Sequence, residues 1–267
     1  MPNVGIARLQ VAERGGRSVV TQQFGKAPLQ VHRPLYLDES GQPTVYLKTP
    51  SAGLLAGDEH EISVHIEPGA SLKLCTQACT LIYPGASRQT VDIRIGDGGT
   101  FIFQPHALIL ARDAEFVQRI AITLGANCNL LFSDYWCAGR LAMNEKWQFK
   151  RFENTVTIQV AVESDNSSVA VESDVYRLST IYREHWSLEP AKVHAEHPLL
   201  CGEFTHFQNT YSCGDLRQSN GLDERQGRGV SGVTVNSKQL HEQPERIWDI
   251  SRDGYNIRRI CAKAVIS

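Results

Sequence analysis

Residues 61–74, "EISVHIEPGASLKL", read as two strands about a turn. Ile62, Val64 and Ile66 alternate with polar residues, the period-two pattern of a half-buried strand. Pro68 and Gly69 break the pattern, and Leu72 and Leu74 then resume an apolar run. The same unit returns twice. "QTVDIRIG" (89–96) leads into "GDGGTFIF" (96–103), and "RIAITLG" (119–125) leads into "LGANCNLLF" (124–132). The turn glycines at 69, 99 and 125 are spaced by roughly 26 to 30 residues, within the range of stacked repeats. "VTIQVAVESDNSSVAVES" (156–173) reads as a fourth, looser copy.

One such hairpin cannot bury its apolar face alone, whereas a stack of them can. The expected fold is mainly β: an elongated solenoid-like or layered β body of stacked strand-turn-strand units with few short helices. The best helix candidate is a short one in "SDYWCAGRLAMNEKW" (133–147), with Ser133 or Asp134 as cap and Gly139 interrupting it. Residues 1–215 make the expected β domain. Residues 216–267 begin with the polar, glycine-rich "DLRQSNGLDERQGRGVSG" and end in a stretch of mixed periodicity; they form either part of the same domain or a loop-rich tail.

Composition narrows the function. A chain of 267 residues with 42% hydrophobic content can build a real core. A formal charge of −2 and a pI near 6.5 give no general attraction to phosphate backbones or anionic lipid, so neither nucleic acid nor membrane is an expected partner. No apolar stretch approaches the roughly 18 residues that cross a bilayer, and "MPNVGIARLQVAERGG" carries charge where a signal peptide needs an apolar core. A cytoplasmic location is expected. The seven cysteines suit reduced, mostly buried thiols better than a disulfide framework. Cys75 and Cys79 are read as core thiols.

The phosphate loop GxxxxGK[ST], HExxH, the GxSxG elbow and paired CxxC are all absent from the sequence, so nucleotide hydrolysis, zinc proteolysis and serine hydrolysis lack their usual support. What remains is a scatter of possible metal ligands. "TPSAGLLAGDEHEISVHIEPG" (49–69) gathers Asp58, Glu59, His60 and Glu61 after a small-residue hinge. Either this is a ligand site on a tight bend, or it is an ordinary turn, which favours Gly and Asp for backbone reasons. His106 follows Pro105 and suits a buried histidine as well as a lining one. "HAEHPLLCGEFTHF" (194–207) offers His194, His197, Cys201 and His206 as a weak metal site or a His-rich loop.

In order along the chain, several segments resemble those of the UreD (UreH) family of urease accessory proteins. "GRSVVTQQFGKAPLQVHRPLY" matches its opening strands, and "TPSAGLLAGDEHEISVHIEPGA" its P-x-G-G-L-x-G-G-D signature. "CTQACTLIYPG", "FIFQPHALILARDAEF" and "YWCAGRLAMNEKWQF" follow as its T-T-x-x-x-T-K-x-Y, central-proline and G-R-x-x-x-x-E segments. The likeness runs from Gly16 to Phe149 and fades by Phe207; Ala52, Ala56 and Leu81 stand where the family has Gly, Gly and Lys. The resemblance implies a non-enzymatic chaperone that binds the urease apoenzyme with UreF-like and UreG-like accessory proteins and assists nickel insertion. No cofactor would be tightly bound and nickel would be held only transiently. It implies a nickel passage near Asp58 and Glu145 with His106 behind them, and leaves Glu61, His194, His197 and Cys201 as weaker metal candidates. The competing reading is a metal-dependent hydrolase on a β scaffold, with His194, His197 and Cys201 as ligands and Glu203 as base.

Overall fold

The computed structural model describes residues 3–51, 53–163, 176–192, 206–213, 244–252 and 255–262. Two mixed sheets account for nearly all of them. The first runs in the order β15 (Tyr176–Leu188), β14 (Arg151–Glu163), β12 (Ala114–Leu124), β9 (Gly85–Ile95), β6 (Asp58–Ile66), β1 (Asn3–Arg14), β2 (Arg17–Lys26). The second runs β17 (Pro244–Arg252), β18 (Tyr255–Ala262), β16 (His206–Cys213), β13 (Asn129–Cys137), β10 (Thr100–Gln104), β7 (Ser71–Thr76), β4 (Thr44–Lys48), β3 (Gln30–Val31). Beside it, β5 (Gly53–Leu54) pairs with β8 (Thr80–Ile82), β8 with β11 (Leu108–Leu110), and β11 with β13.

The three strand-turn-strand units are present and are neighbours. Their first strands, β6, β9 and β12, lie parallel in the first sheet, so that Ile62, Val91 and Ile120 form one cross-strand row. Their second strands, β7, β10 and β13, lie parallel in the second sheet. Each turn therefore carries the chain from one sheet to the other and does not close a hairpin. The turns also stack on one another: the amide of Gly69 donates to the Asp97 carbonyl at 2.9 Å, and that of Gly98 to the Ala126 carbonyl at 2.7 Å. Gly69 takes φ 71°, where a side chain is strained. Gly125 answers to a different demand, since a Cβ there would sit 2.8 Å from the Asp97 backbone nitrogen of the turn beneath it.

The elongated solenoid is not formed. Repetition stops after three units because antiparallel strands dock on both sides of the stack: β2 on β1, β15 on β14, and the β16, β18, β17 set on β13. The expected fourth copy begins in β14, which lies parallel to β12 and pairs antiparallel with β15 in the same sheet; its residues 164–173 lie outside the described residues. The expected helix over 133–147 is also corrected. Residues 129–137 are strand β13, Ser133 and Asp134 are buried within it, and only the 3-10 turn Leu141–Met143 follows. Burial against both sheets overrides the local capping signal. Of the stretch of mixed periodicity near the chain's end, the described residues are β17 and β18. No helix among the described residues is long and apolar enough to cross a membrane.

The buried side chains fall into two clusters. The larger holds Leu9, Val64, Ile93, Phe103, Ile122 and Phe132 among others, with Phe132 stacked between Phe103 and Tyr211 at 5.7 and 5.4 Å. The smaller is aromatic, built on Phe116, Trp136, Trp147, Phe149, Phe152 and Phe207. Stacked turns leave no room for added volume, so Gly125→Ala is expected to lower stability by about 1–3 kcal/mol. Urea denaturation checks this; a midpoint equal to that of the unsubstituted protein would refute the stacking role.

Candidate functional site

Between the two apolar clusters lies a row of polar side chains. Parallel register aligns His60 of β6 with Gln89 of β9, Gln89 with Gln118 of β12, and Gln118 with Asn154 of β14. Two residues further along each strand the row is Ile62, Val91, Ile120 and Val156, all in the larger cluster. Two residues back, Phe116 pairs with Phe152 in the smaller one. All four polar positions lie on the inward side of the sheet, where the alternating pattern otherwise places aliphatic residues.

Buried amides are costly unless bonded, and these are bonded to one another. Gln89 Nε2 donates to Gln118 Oε1 at 3.3 Å. Gln118 Nε2 donates to Asn154 Oδ1 at 3.3 Å and, across the gap between the sheets, to Oδ1 of Asp134 on β13 at 3.0 Å. Asn154 Nδ2 donates to the other Asp134 oxygen. Asp134 thus has both oxygens occupied by donors from neutral side chains. Burial pushes its carboxyl up to about 6, against the pull of the Asn154 and Gln118 amides. Near neutral pH it carries a charge set among dipoles.

At the other end of the row, the imidazole of His60 is only 2% exposed. Burial lowers its pKa to about 4; the Asp58 charge and the Gln89 side chain oppose the shift without cancelling it. Its Nε2 has no hydrogen-bond partner among the described residues, and neither does the buried Ser87 hydroxyl on β9. Two cavities flank the row. One of about 220 Å³ lies against His60, Gln89, Lys48, Thr49 and the bend from Thr76 to Thr80. A smaller one of about 30 Å³ is lined by Gln89, His106, Gln118, Asp134 and Tyr135. They share Ile62, Thr76, Thr80 and Gln89 as walls, so together they follow the polar row between the sheets.

The acidic cluster read from the sequence does not act as one site. Strand alternation turns Asp58 and His60 inward and leaves Glu61 exposed, while Glu59 pairs with Arg88 at 2.5 Å. Asp58 closes the turn that enters β6. Its Oδ2 accepts the Leu55 amide at 2.9 Å and its own amide donates to the Leu55 carbonyl at 3.0 Å. Glu145 is clasped by Arg140 through Nε at 2.7 Å and Nη2 at 2.5 Å, and accepts the Arg112 amide at 3.3 Å. The Arg140 hydrogen bonds hold its carboxyl below the usual carboxylate range. Neither Asp58 nor Glu145 lines either cavity, whereas His106 does. The His106 amide donates to Thr76 Oγ1 at 2.8 Å, and its Nδ1 lies 3.2 Å from the same oxygen.

Cys75 is buried at the end of β7 and Cys79 is exposed beyond it, so the two do not form a common core pair. His194, His197, Cys201 and Glu203 lie outside the described residues. Among the described residues no three His, Cys, Asp or Glu side chains are grouped to hold a metal ion. Reading the sequence missed Gln89, Gln118, Asn154 and Asp134. The available signal was a polar residue at the same inward position of successive units, as in Gln89 and Gln118, which are 29 residues apart.

The two titrating ends of the row oppose each other. Asp134, raised above the unfolded carboxyl value, contributes stability below about pH 4 that is lost as pH rises through about 6. His60, lowered from 6.5 to about 4, contributes stability above 6.5 that is lost as pH falls towards 4. Asp134→Asn is therefore expected to steepen the gain of stability between pH 4 and 6.5 relative to the unsubstituted protein, and His60→Gln to flatten or reverse it, each by on the order of 1–3 kcal/mol. Urea denaturation across that range checks the signs, and parallel profiles for all three proteins would contradict them.

Comparison with known proteins adds the family. Residues 3–241 match the model described as UreD urease accessory protein, well past the point where the motif resemblance fades. "Urease accessory protein UreD 2" of Synechococcus sp. (strain JA-3-3Ab) is 34% identical over 165 residues, covering 61% of this chain and 60% of that protein. "Urease accessory protein UreD" of Sporosarcina pasteurii is 31% identical over 255 residues, covering 88% of this chain and 95% of that protein. The chain spans about 60% of the length of the first of these relatives and nearly all of the second. Both are named as urease accessory proteins. With a family match over most of its length and a relative aligned almost end to end, the chain belongs to the UreD urease accessory protein family.

Proposed function

We propose that this protein is a cytoplasmic urease accessory chaperone that scaffolds the urease apoenzyme together with UreF-like and UreG-like proteins, and that nickel crosses its β body on the way to the urease active site. The observation that carries the proposal is Asp134: a buried carboxylate bonded to two neutral amides, on the wall of a small cavity that adjoins a larger one. Such a charge attracts a divalent cation. With few other strong ligands nearby it would release the ion again, which suits transit better than storage. His106 and Thr76 would be the next contacts on the same wall.

In this reading the two-sheet body supplies the scaffold and holds the passage. Nickel is cargo, no cofactor stays bound, and GTP hydrolysis belongs to the UreG-like partner. Asp58 and Glu145 act through the loops they close: one fixes the bend entering β6, the other ties residues 140–145 to Arg112.

The test is co-expression of the urease subunits and the other accessory proteins with variants of this chain, scoring complex assembly, urease nickel content and urea hydrolysis. Asp134→Asn removes the charge at nearly constant shape and is expected to cut nickel delivery by about tenfold or more while assembly persists. Asp58→Asn retains an oxygen for the Leu55 amide and should have a milder effect. Normal nickel delivery by an assembled complex carrying both Asp134→Asn and His106→Gln would sink the transit role.

A further inference from the structure

The first sheet ends in β2, which pairs with β1 on one side only. Gln23 and Gly25 align with the buried Leu9 and Ala7 and meet Val31 beneath the sheet, so the packing of β3 leaves the outer edge of β2 open. Ser18 at one end donates its amide to the Gly41 carbonyl at 3.1 Å, and Lys26 at the other accepts the Leu29 amide. Between them, among the described residues, β2 makes no backbone bond beyond those to β1. Exposed edges are usually blunted by charge, proline or a bulge. Here a register shift beside Val11 is present, but from Ser18 to Gly25 the strand has neither charge nor proline.

Apolar surface gathers along the same edge. Phe24, Leu35 and Leu37, at 45%, 47% and 64% exposed, are three of the five large apolar side chains left exposed among the described residues. Phe24 stands on β2 itself. Tyr36, between the two leucines, is tied to β2 by its hydroxyl, which donates to the Ser18 carbonyl at 2.9 Å, and by Arg17, 3.5 Å from the ring centroid. Exposed apolar side chains collected in one place mark an interaction surface. The charge there is also distinctive: residues 1–37 hold Arg8, Arg14, Arg17, Lys26 and Arg33 against the single acid Glu13, in a chain whose net charge is −2.

We propose that the β2 edge is a docking strip for an extended, acidic segment of a partner protein, which adds an eighth strand to the seven-stranded sheet. The open backbone edge supplies the main-chain hydrogen bonds, Phe24 and the two leucines receive apolar side chains, and the surrounding cations select carboxylates. The same cations disfavour a second copy of this chain as occupant. In a two-fold antiparallel pairing of β2 with itself, centred between Thr21 and Gln22, Lys26 of each copy would stand opposite Arg17 of the other, a like-charge pair. The proposal gives a surface to the scaffolding role above and rests on that role for the choice of partners to test, but it is independent of nickel transit.

Hydrogen–deuterium exchange on the full-length chain, alone and in the complex co-expressed with the urease subunits and the other accessory proteins, is the test. The expected result is exchange at residues 19–25 slowed by about tenfold or more in the complex. A Lys26→Glu, Arg33→Glu double variant, altered at two exposed positions, is expected to lose that protection and to release its partner at a salt concentration that the unsubstituted complex withstands. Phe24→Ser removes apolar contact without changing charge and should weaken the complex by about tenfold; equal urea midpoints for all three proteins show that the fold is kept. Unchanged exchange at 19–25 in the complex, or protection that survives the charge reversal, overturns the docking strip. Protection that appears in the isolated chain as its concentration rises assigns the edge to a second copy and overturns it equally. Asp134→Asn should leave the protection of β2 intact. A protected edge therefore upholds the strip even if nickel delivery proves indifferent to Asp134→Asn, an outcome that would sink only the transit role.

Discussion

Parallel register between successive units is the constraint from which the rest of this molecule follows. Once Ile62, Val91 and Ile120 share a row, the residues two positions away on each strand must share one as well. The apolar rows become a core that extends across strands β6, β9, β12 and β14. The turns, forced into vertical contact, need residues that take little space, such as Gly125 over the Asp97 backbone. The sheets separate because each unit sends its second strand, β7, β10 or β13, across to the facing layer.

The same register gives the polar row its cost and its chemistry. A single glutamine facing inward would be a local defect. Gln89 and Gln118 aligned on neighbouring strands become partners, and with Asn154 they can surround a carboxylate from the opposite sheet without any cation. The arrangement divides the interior into an aliphatic and aromatic body on one side and a dense aromatic knot around Trp136 on the other. Two cavities persist at this boundary, where amide and imidazole groups interrupt the apolar packing.

Much of this was legible in the residue pattern. Alternation in 61–66, 91–95 and 120–124 disclosed the strands, and the recurring glycines disclosed the units. What local pattern could not disclose was the destination of each strand: the turn at Gly69 reads as a hairpin turn, and only the partner strands decide that it crosses between sheets. Residues 133–137 read as a helix start because Ser and Asp are good caps, while their burial between layers is a tertiary fact. At the site, attention went to the charged cluster at 58–61, where strand alternation scatters the side chains to opposite faces. Asp134 reads as a helix cap in the sequence, and only the Gln118 and Asn154 amides that the fold places beside it mark it as a site residue.

In-register stacking also governs how this chain can change length over evolutionary time. One residue inserted inside β9 would invert every side chain beyond it, sending Val91 and Ile93 to solvent and Asp92 and Arg94 to the core. The neighbouring strands on both sides would lose their partners at once. Insertions and deletions are therefore confined to the connectors outside the paired strands, such as residues 77–79 between β7 and β8 and 105–107 between β10 and β11. Those connectors also carry Cys79 and His106, so the parts of the chain that are free to vary in length border the cavities, while the strands that form their inner wall are not.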